Sequence, residues 1–434
     1  MKINPICVKD DIKANPSFKS KILVDVGGSV GENSLKVLML SDKYEPLHKM
    51  KDIVNDNGHR VYENAQDFLK KLAKKMSICY KEGLEINPKE KTLKRAVFFM
   101  PGSVYDNKLL YADNIRKPNG AGMSDIDFNL IPEYLKENGV KLSKDFKIRL
   151  FQDSMGSGLA IAQKLHDKNM LHAGDHYSVA ITGGGCGISN IRSLRNKSAW
   201  IDATGSSYFT DELGLVKIAN AGASASKLIN NFCNEMGINK QIVPEISKCG
   251  IGQVVTSEIF RIPENEQGQK LKELLLSLKK LAPKDSADPT SELVYKNIYE
   301  LHDENNIKVT DDFSGDFKEA RLKAINKYAK SLAKFAVIKE NEGANGLIIT
   351  GPLGFAIDKV LRKHHSSSLS KMISQKISGE YNTFELDQIS RSNKFKVICS
   401  PEFSISDNTE AKDLALKSKL IGKERFNWLR ISFK

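Results

Sequence analysis

Two features of the 434-residue sequence predict an α/β protein: apolar strand-like runs alternate with amphipathic helical stretches through both halves, and three of those runs end in glycine turns, after Val26, Ile181 and Ile349. Composition agrees with a packed globular chain, at 40% hydrophobic and 27% charged residues, and excludes a disordered or fibrous one. The length suffices for two or three domain-sized units. Sixty-six Lys and Arg against 53 Asp and Glu leave a net charge of +13, which raises the question of nucleic acid.

The elements follow in order. Residues 1–20 are polar and irregular, and Lys21-Ile-Leu-Val-Asp25-Val-Gly-Gly-Ser29 then reads as a buried strand entering a glycine turn. Leu35 to Leu40 is a second strand at hairpin distance, with residues 59–63 as a short third. From Ala65 to Tyr80 the apolar residues Phe68, Leu69, Leu72, Ala73 and Met76 fall on one helical face, and the lysines between them form a solvated face. Arg95 to Met100 is an apolar strand ending in Pro101-Gly102, and the Gly/Asp/Pro-rich stretch 117–127 reads as a loop. A short helix from Ile131 to Gly139 and a strand from Lys147 to Gln152 precede Asp153-Ser154, which opens a helix, where such residues serve as caps.

Tyr177 to Ile181 is a strand running into Thr182-Gly183-Gly184-Gly185-Cys186-Gly187. The middle of the chain shows helical spacing over 215–236, 268–282, 290–304 and 316–340, the last carrying a core stripe of Phe317, Ala320, Ala324, Tyr328, Leu332, Phe335 and Ala336. Leu347-Ile-Ile-Thr-Gly351-Pro-Leu-Gly354 is again a strand entering a glycine turn, with a helix to about Arg362. A polar, Ser-rich stretch over 366–394, a strand from Phe395 to Cys399 and a helix from Asn408 to about Leu420 complete the chain. No tandem repeat is present.

The six cysteines, Cys7, Cys79, Cys186, Cys233, Cys249 and Cys399, form no CxxC pair and read as idle thiols of a reducing compartment. The first twenty residues lack the apolar core of a signal peptide, and no window approaches the roughly 18 apolar residues of a membrane span. A cytoplasmic protein without a membrane partner is expected.

A glycine turn at a strand end lets backbone N–H groups converge on an anion, because no Cβ blocks the approach. None of the turns matches the P-loop pattern or the GxGxxG of a Rossmann dinucleotide site. Asp25-Val-Gly27-Gly28-Ser29 does resemble the first phosphate motif of the actin and sugar-kinase superfamily, in the D-x-G-G-T form of glucokinases and the ROK family (repressor, open reading frame, kinase). Thr182-Gly183-Gly184-Gly185-Cys186-Gly187 resembles the second phosphate motif, and Gly346 to Gly354 resembles the adenosine motif. Pro101-Gly102 is similar to an element beside the sugar, and Phe151-Gln-Asp153-Ser to the segment that reads N-D-A in those kinases.

The resemblance implies a two-lobed actin-like ATPase fold of the ribonuclease H-like type, with an active-site cleft between the lobes and helical insertions. The small lobe would be 1–152, with a C-terminal helix of about 405–434 returning to it, and the large lobe 153–404, with an insertion at about 255–340. It implies an ATP-dependent kinase phosphorylating a hexose or amino-hexose. Asp153 would be the general base, Asp25 would hold Mg²⁺ through water, and Gly27, Gly28, Ser29 and Lys36 would face the phosphates. Thr182, Gly183, Gly184 and Gly185 would wrap those phosphates from the second lobe, and Gly351 and Gly354 would flank the adenosine. Gly102, Asn114, Asp153 and Asp202 would hold the sugar. A homodimer is compatible with this reading.

The sequence departs from the ROK pattern in four places. Ser29 replaces Thr, Val30 to Leu35 lengthen the gap before Lys36, and Gly184 stands where further spacing residues are usual. Past residue 187 the G-E-x-G-H motif and its Cys-rich zinc site are missing, and Trp200-Ile-Asp202-Ala-Thr204-Gly205-Ser206 occupies the stretch, with Asp202 as the replacement for the sugar-binding Glu. Two non-enzymatic classes stand beside the kinase. A silent sugar or nucleotide binder follows from the degenerate sugar motif. A DNA-binding repressor would need a helix-turn-helix ahead of Lys21, for which about 20 residues are too few. The lysines lie along helical faces without an aromatic RNA-binding motif, so nucleic acid is not an expected partner.

Overall fold

The computed structural model describes residues 19–27, 34–41, 45–50, 62–89, 91–119, 121–182, 186–194, 198–202, 228, 231–232, 234–236, 316–383, 395–403 and 428–432. The first sheet is built from β1 (Lys19–Gly27), β2 (Ser34–Leu40), β3 (Pro46–Met50), β4 (Thr92–Met100) and β8 (Leu142–Gln152), in the order β3-β2-β1-β4-β8. Here β1 to β3 form an antiparallel meander, while β4 and β8 run parallel to β1. Strand alternation supplies both faces of this sheet. Ile22, Val24, Ala96 and Phe98 pack with α1 (Ala65–Ile86) and α2 (Ile131–Glu137), while Leu23, Val97, Phe99 and Phe151 face α3 (Asp153–Asp167). Each fully buried Leu, Ile or Phe of this kind contributes about 1.5–3 kcal/mol.

The second sheet holds β9 (His176–Thr182), β10 (Cys186–Leu194), β11 (Ser198–Asp202), β12 (Gly346–Thr350), β13 (Lys396–Cys399) and β14 (Trp428–Ser432), in the order β13-β12-β9-β10-β11-β14. Its first three strands again form an antiparallel meander, and β12 and β13 run parallel to β9. The arrangement of the first sheet thus recurs, with β14 added outside β11. Helices α4 (Phe317–Asn341), α5 (Pro352–His364) and α6 (Leu369–Thr383) cover one face of it, and α3 covers the other. Asn64 caps α1 by accepting from the Asp67 N–H at 3.0 Å, and Asp316 caps α4 by accepting from Glu319 at 2.7 Å. No helix among the described residues is long and apolar enough to cross a membrane.

Several sequence expectations need correction. The third strand is Pro46–Met50, and residues 62 and 63 are not strand; one exposed edge strand with a proline and little alternation leaves a faint signal. The expected loop 117–127 contains β7 (Gly122–Asp127), which pairs with β6 (Lys108–Arg116) and, through it, with β5 (Ser103–Tyr105). Cys186 and Gly187 belong to strand β10, not to the glycine turn. The Ser-rich stretch contains α6, which buries Leu369 and Ile373. Helix α4, placed by the resemblance at the end of an insertion, is core: Ala324, Tyr328, Leu332 and Phe335 are fully buried against the second sheet. Of the expected return of 405–434, the described part, Trp428–Ser432, is strand β14, whose backbone pairs with β11 of the second sheet. The expected helices at 268–282, 290–304 and 408–420, and the remainder of 255–315, lie outside the described residues.

Candidate functional site

Parallel pairing gathers the carboxyl ends of β1, β4 and β8, because the register sets Asp25 against Phe99, Phe99 against Phe151, and Met100 against Gln152. In parallel α/β sheets, the loops beyond such ends are where ligands collect. Asp25, Pro101-Gly102 and Asp153 therefore share one edge of the first sheet. The antiparallel partner β2 adds Lys36 directly opposite Asp25, so a cation and a carboxylate are Cα neighbours across the ladder. Gly28 and Ser29 lie outside the described residues. Gly102 has φ +114° and its α-carbon lies against the Tyr111 carbonyl of β6, so no side chain fits there. Asn114 lies further along β6, the middle strand of the small third sheet.

Asp153 is the first residue of α3. The cap position belongs to Gln152, whose side chain makes no capping bond. The half-buried Asp153 carboxylate accepts through Oδ1 from the Ser154 N–H at 2.8 Å, at the positive end of the helix. Its neighbours Gln152 and Ser154 are buried, and Gln152 Oε1 and Ser154 Oγ have no hydrogen-bond partner among the described residues. A buried polar atom left unpaired costs about 1–3 kcal/mol. Sequence reasoning quoted this segment without singling these two side chains out; only their adjacency to Asp153 signalled them.

The same helix start meets the second sheet. A Cβ at Gly187 would lie 3.4 Å from Ser154 Cβ, so the first turn of α3 rests on the strand that leaves the glycine-rich loop. That loop, Gly183 to Gly185, lies outside the described residues. Its two flanks, Thr182 and Cys186, are opposed in the β9–β10 ladder. Thr182 is fully buried and points inward: its Oγ1 donates to the Thr350 carbonyl at 3.0 Å and accepts from the Gly354 N–H at 2.9 Å. Gly351, at φ +98°, presses against the Thr182 backbone. Thr182, at the carboxyl end of β9, and the glycine turn after β12 are therefore one packed unit.

Asp202 is not brought to this edge. Its backbone pairs with Asn190, which pairs with Ser178, four positions down β9 from Thr182. At about 3.4 Å per residue, that is on the order of 14 Å below the strand end. Asp202 is the last described residue of β11.

Burial pushes the thiols of Cys79, Cys186 and Cys399 up to about 12, so none is a nucleophile near neutral pH. His176, at the opposite end of β9, is pushed down to about 4 by burial and by the positive charges of Arg192 and Lys339. No group of three or more His, Cys, Asp or Glu side chains suited to a metal occurs among the described residues.

No family model matches the sequence, and no curated protein matches it. Solved structures do resemble it. They include a ROK family protein from Streptococcus pneumoniae in complex with sucrose, at 12% identity and TM-score 0.44, covering 91% of this chain and 96% of that one. A glucokinase from Balamuthia mandrillaris in complex with glucose has 12% identity and TM-score 0.45, covering 91% and 93%. A ROK family glucokinase from Streptomyces griseus in complex with glucose and AMPPNP has 12% identity and TM-score 0.42, covering 92% and 100%. Within the chain, the strand order of the first sheet recurs in the second, with a helix seated between the two sheets, in keeping with the α/β class expected from the sequence.

Proposed function

We propose that this protein is an ATP-dependent sugar kinase that transfers the γ-phosphate of ATP to a hydroxyl of a hexose or amino-hexose. The observation that carries the reading is the position of Asp153. It stands at the carboxyl edge of the first sheet, on a helix start that touches Gly187, at the exit of the glycine loop of the second. Gln152 holds the cap position, and the Asp153 carboxylate accepts from the Ser154 N–H through Oδ1.

In this reading Asp153 accepts the proton of the sugar hydroxyl as that oxygen forms its bond to the γ-phosphorus; the bond from phosphorus to the bridging oxygen breaks, and ADP leaves. Asp25 and Lys36, opposed across β1 and β2, lie at the phosphate side of the same edge. A single carboxylate at a strand end suits Mg²⁺, which keeps most of its waters and takes its other ligands from phosphate. Bound Mg²⁺ would neutralise charge on the β- and γ-phosphates. The partner is thus a small-molecule sugar, and ATP with Mg²⁺ the cofactor.

The mid-sheet position of Asp202 favours a second reading, a silent sugar or nucleotide binder. A panel of hexoses and amino-hexoses assayed for ADP release separates the two. The kinase reading expects at least one sugar to stimulate turnover and Asp153→Asn to abolish it without lowering the melting temperature. Sugars that raise the melting temperature without turnover would establish the binder instead.

A further inference from the structure

The structure assigns Thr182 to a positioning role: its hydroxyl caps helix α5 from a neighbouring strand and does not bind phosphate. The inference rests on the nucleotide reading above only for its consequence in binding. Helix α5 begins without a cap of its own, since its N-cap is Gly351, which has no side chain, and its first residue is Pro352, which has no N–H. The amide of Gly354, in the third helical position, is buried and must find an acceptor elsewhere. Thr182 Oγ1, on β9, supplies it at 2.9 Å.

The direction of these bonds decides what the hydroxyl can do. A threonine has one O–H to give. The Thr350 carbonyl can only accept, so at 3.0 Å it takes the Thr182 proton, with the Tyr328 hydroxyl as the other side-chain neighbour of that oxygen. Phosphate oxygens also only accept, and a hydroxyl whose single proton is already given has nothing to offer them. Thr350 is held in turn, with its own hydroxyl donating to the Phe403 carbonyl at 2.7 Å. The chain of bonds runs from the start of α5 through β9 and β12 to the turn at Pro401–Phe403. The fit is close, because a Cβ on Gly354 would lie 2.9 Å from Thr182 Oγ1. Thr182 thereby fixes where the turn at Gly351 and the start of α5 stand relative to β9, and so shapes the face read here as the adenosine side.

The test compares Thr182→Val, which keeps the shape and loses both bonds, with Thr182→Ser, which keeps the hydroxyl. Two readouts are used on the full chain: hydrogen exchange at the Gly354 amide, and the affinities for adenosine and for ATP. Thr182→Val is expected to speed exchange at Gly354 and to weaken adenosine and ATP by the same factor, on the order of tenfold. Thr182→Ser should leave all three within about twofold. A loss of ATP affinity with adenosine unchanged would overturn the inference, because it would place the hydroxyl on a phosphate. Unprotected Gly354 in the wild-type chain would overturn it as well, and that measurement needs no variant to fold. If the wild-type chain binds neither adenosine nor ATP, the nucleotide reading fails, while exchange at Gly354 still decides the cap.

Discussion

Gly158 of α3 and Ser189 of β10 lie in contact that excludes a side chain: a Cβ on Gly158 would stand 2.6 Å from Ser189 Oγ and 2.9 Å from Ile201 Cγ2. The helix that begins at Asp153 is thus set directly on the second sheet. On its opposite side Gly156 faces the first sheet, where a Cβ would meet the Phe99 ring at 3.3 Å. Gly158→Ala should push α3 away from β10 and β11 and cost about 1–3 kcal/mol. The same shift displaces Asp153, so turnover should fall by more than the population of folded protein. Denaturant titration beside the ADP-release assay measures both, and an Ala variant with wild-type stability would refute the packing argument.

Gly351 answers to two constraints at once, a φ of +98° and the backbone of Thr182 against its α-carbon. An alanine adds left-handed strain to a clash with backbone that cannot swing aside. We expect Gly351→Ala to destabilise the protein by about 2–4 kcal/mol. Gly174, at φ +89° with nothing near its α-carbon, serves as the control, because Gly174→Ala carries strain alone. Thermal melts of the two variants should rank Gly351→Ala as the more damaging.

His176 ties stability to acid pH. Its folded pKa is lowered from 6.5 to about 4 by burial and by the charges of Arg192 and Lys339, with Glu342 opposing them. The unfolded chain therefore binds more protons than the folded chain between those values, and stability rises with pH across that window. Above about pH 6.5 both states hold a neutral imidazole, and the group no longer contributes. Acidification from pH 6.5 toward 4 should cost up to about 3 kcal/mol through this residue. Urea titrations at steps across the window should show a shallower acid loss in His176→Gln; an unchanged slope would rule His176 out as the source.

The buried thiols make a simpler prediction. Cys79, Cys186 and Cys399 are raised to about 12 and shielded from reagent. Peptides containing them should remain unlabelled by iodoacetamide in the native protein at neutral pH and become labelled in denaturant. Labelling of Cys186 in the native protein would show that the core under the glycine loop opens.

What the sequence discloses is uneven for a physical reason. The glycine turn after β12 was legible because the demand for glycine there is local: a strand end, a positive φ at Gly351 and the Thr182 backbone beside it. The stripe of α4 was legible because helical spacing writes one buried face into consecutive turns. Strand β7 was not, since Gly122-Met-Ser-Asp-Ile-Asp127 has the composition of a loop and becomes a strand through pairing with β6. The height of Asp202 on the second sheet, level with Ser178, was not legible either, because order along the chain does not encode register.

The sequence by itself determined the α/β class, the positions of the three glycine turns and the candidacy of Asp153, all from residue type and spacing. Only the tertiary structure decided that the two sheets share one strand order, that β14 joins the second sheet, and that the Thr182 hydroxyl turns inward. Those facts depend on partners far apart in the chain, the hydroxyl of Thr182 and the carbonyl it bonds being separated by 168 positions. Local propensity carries no information about such partners, because the bond exists only once both strands are in place.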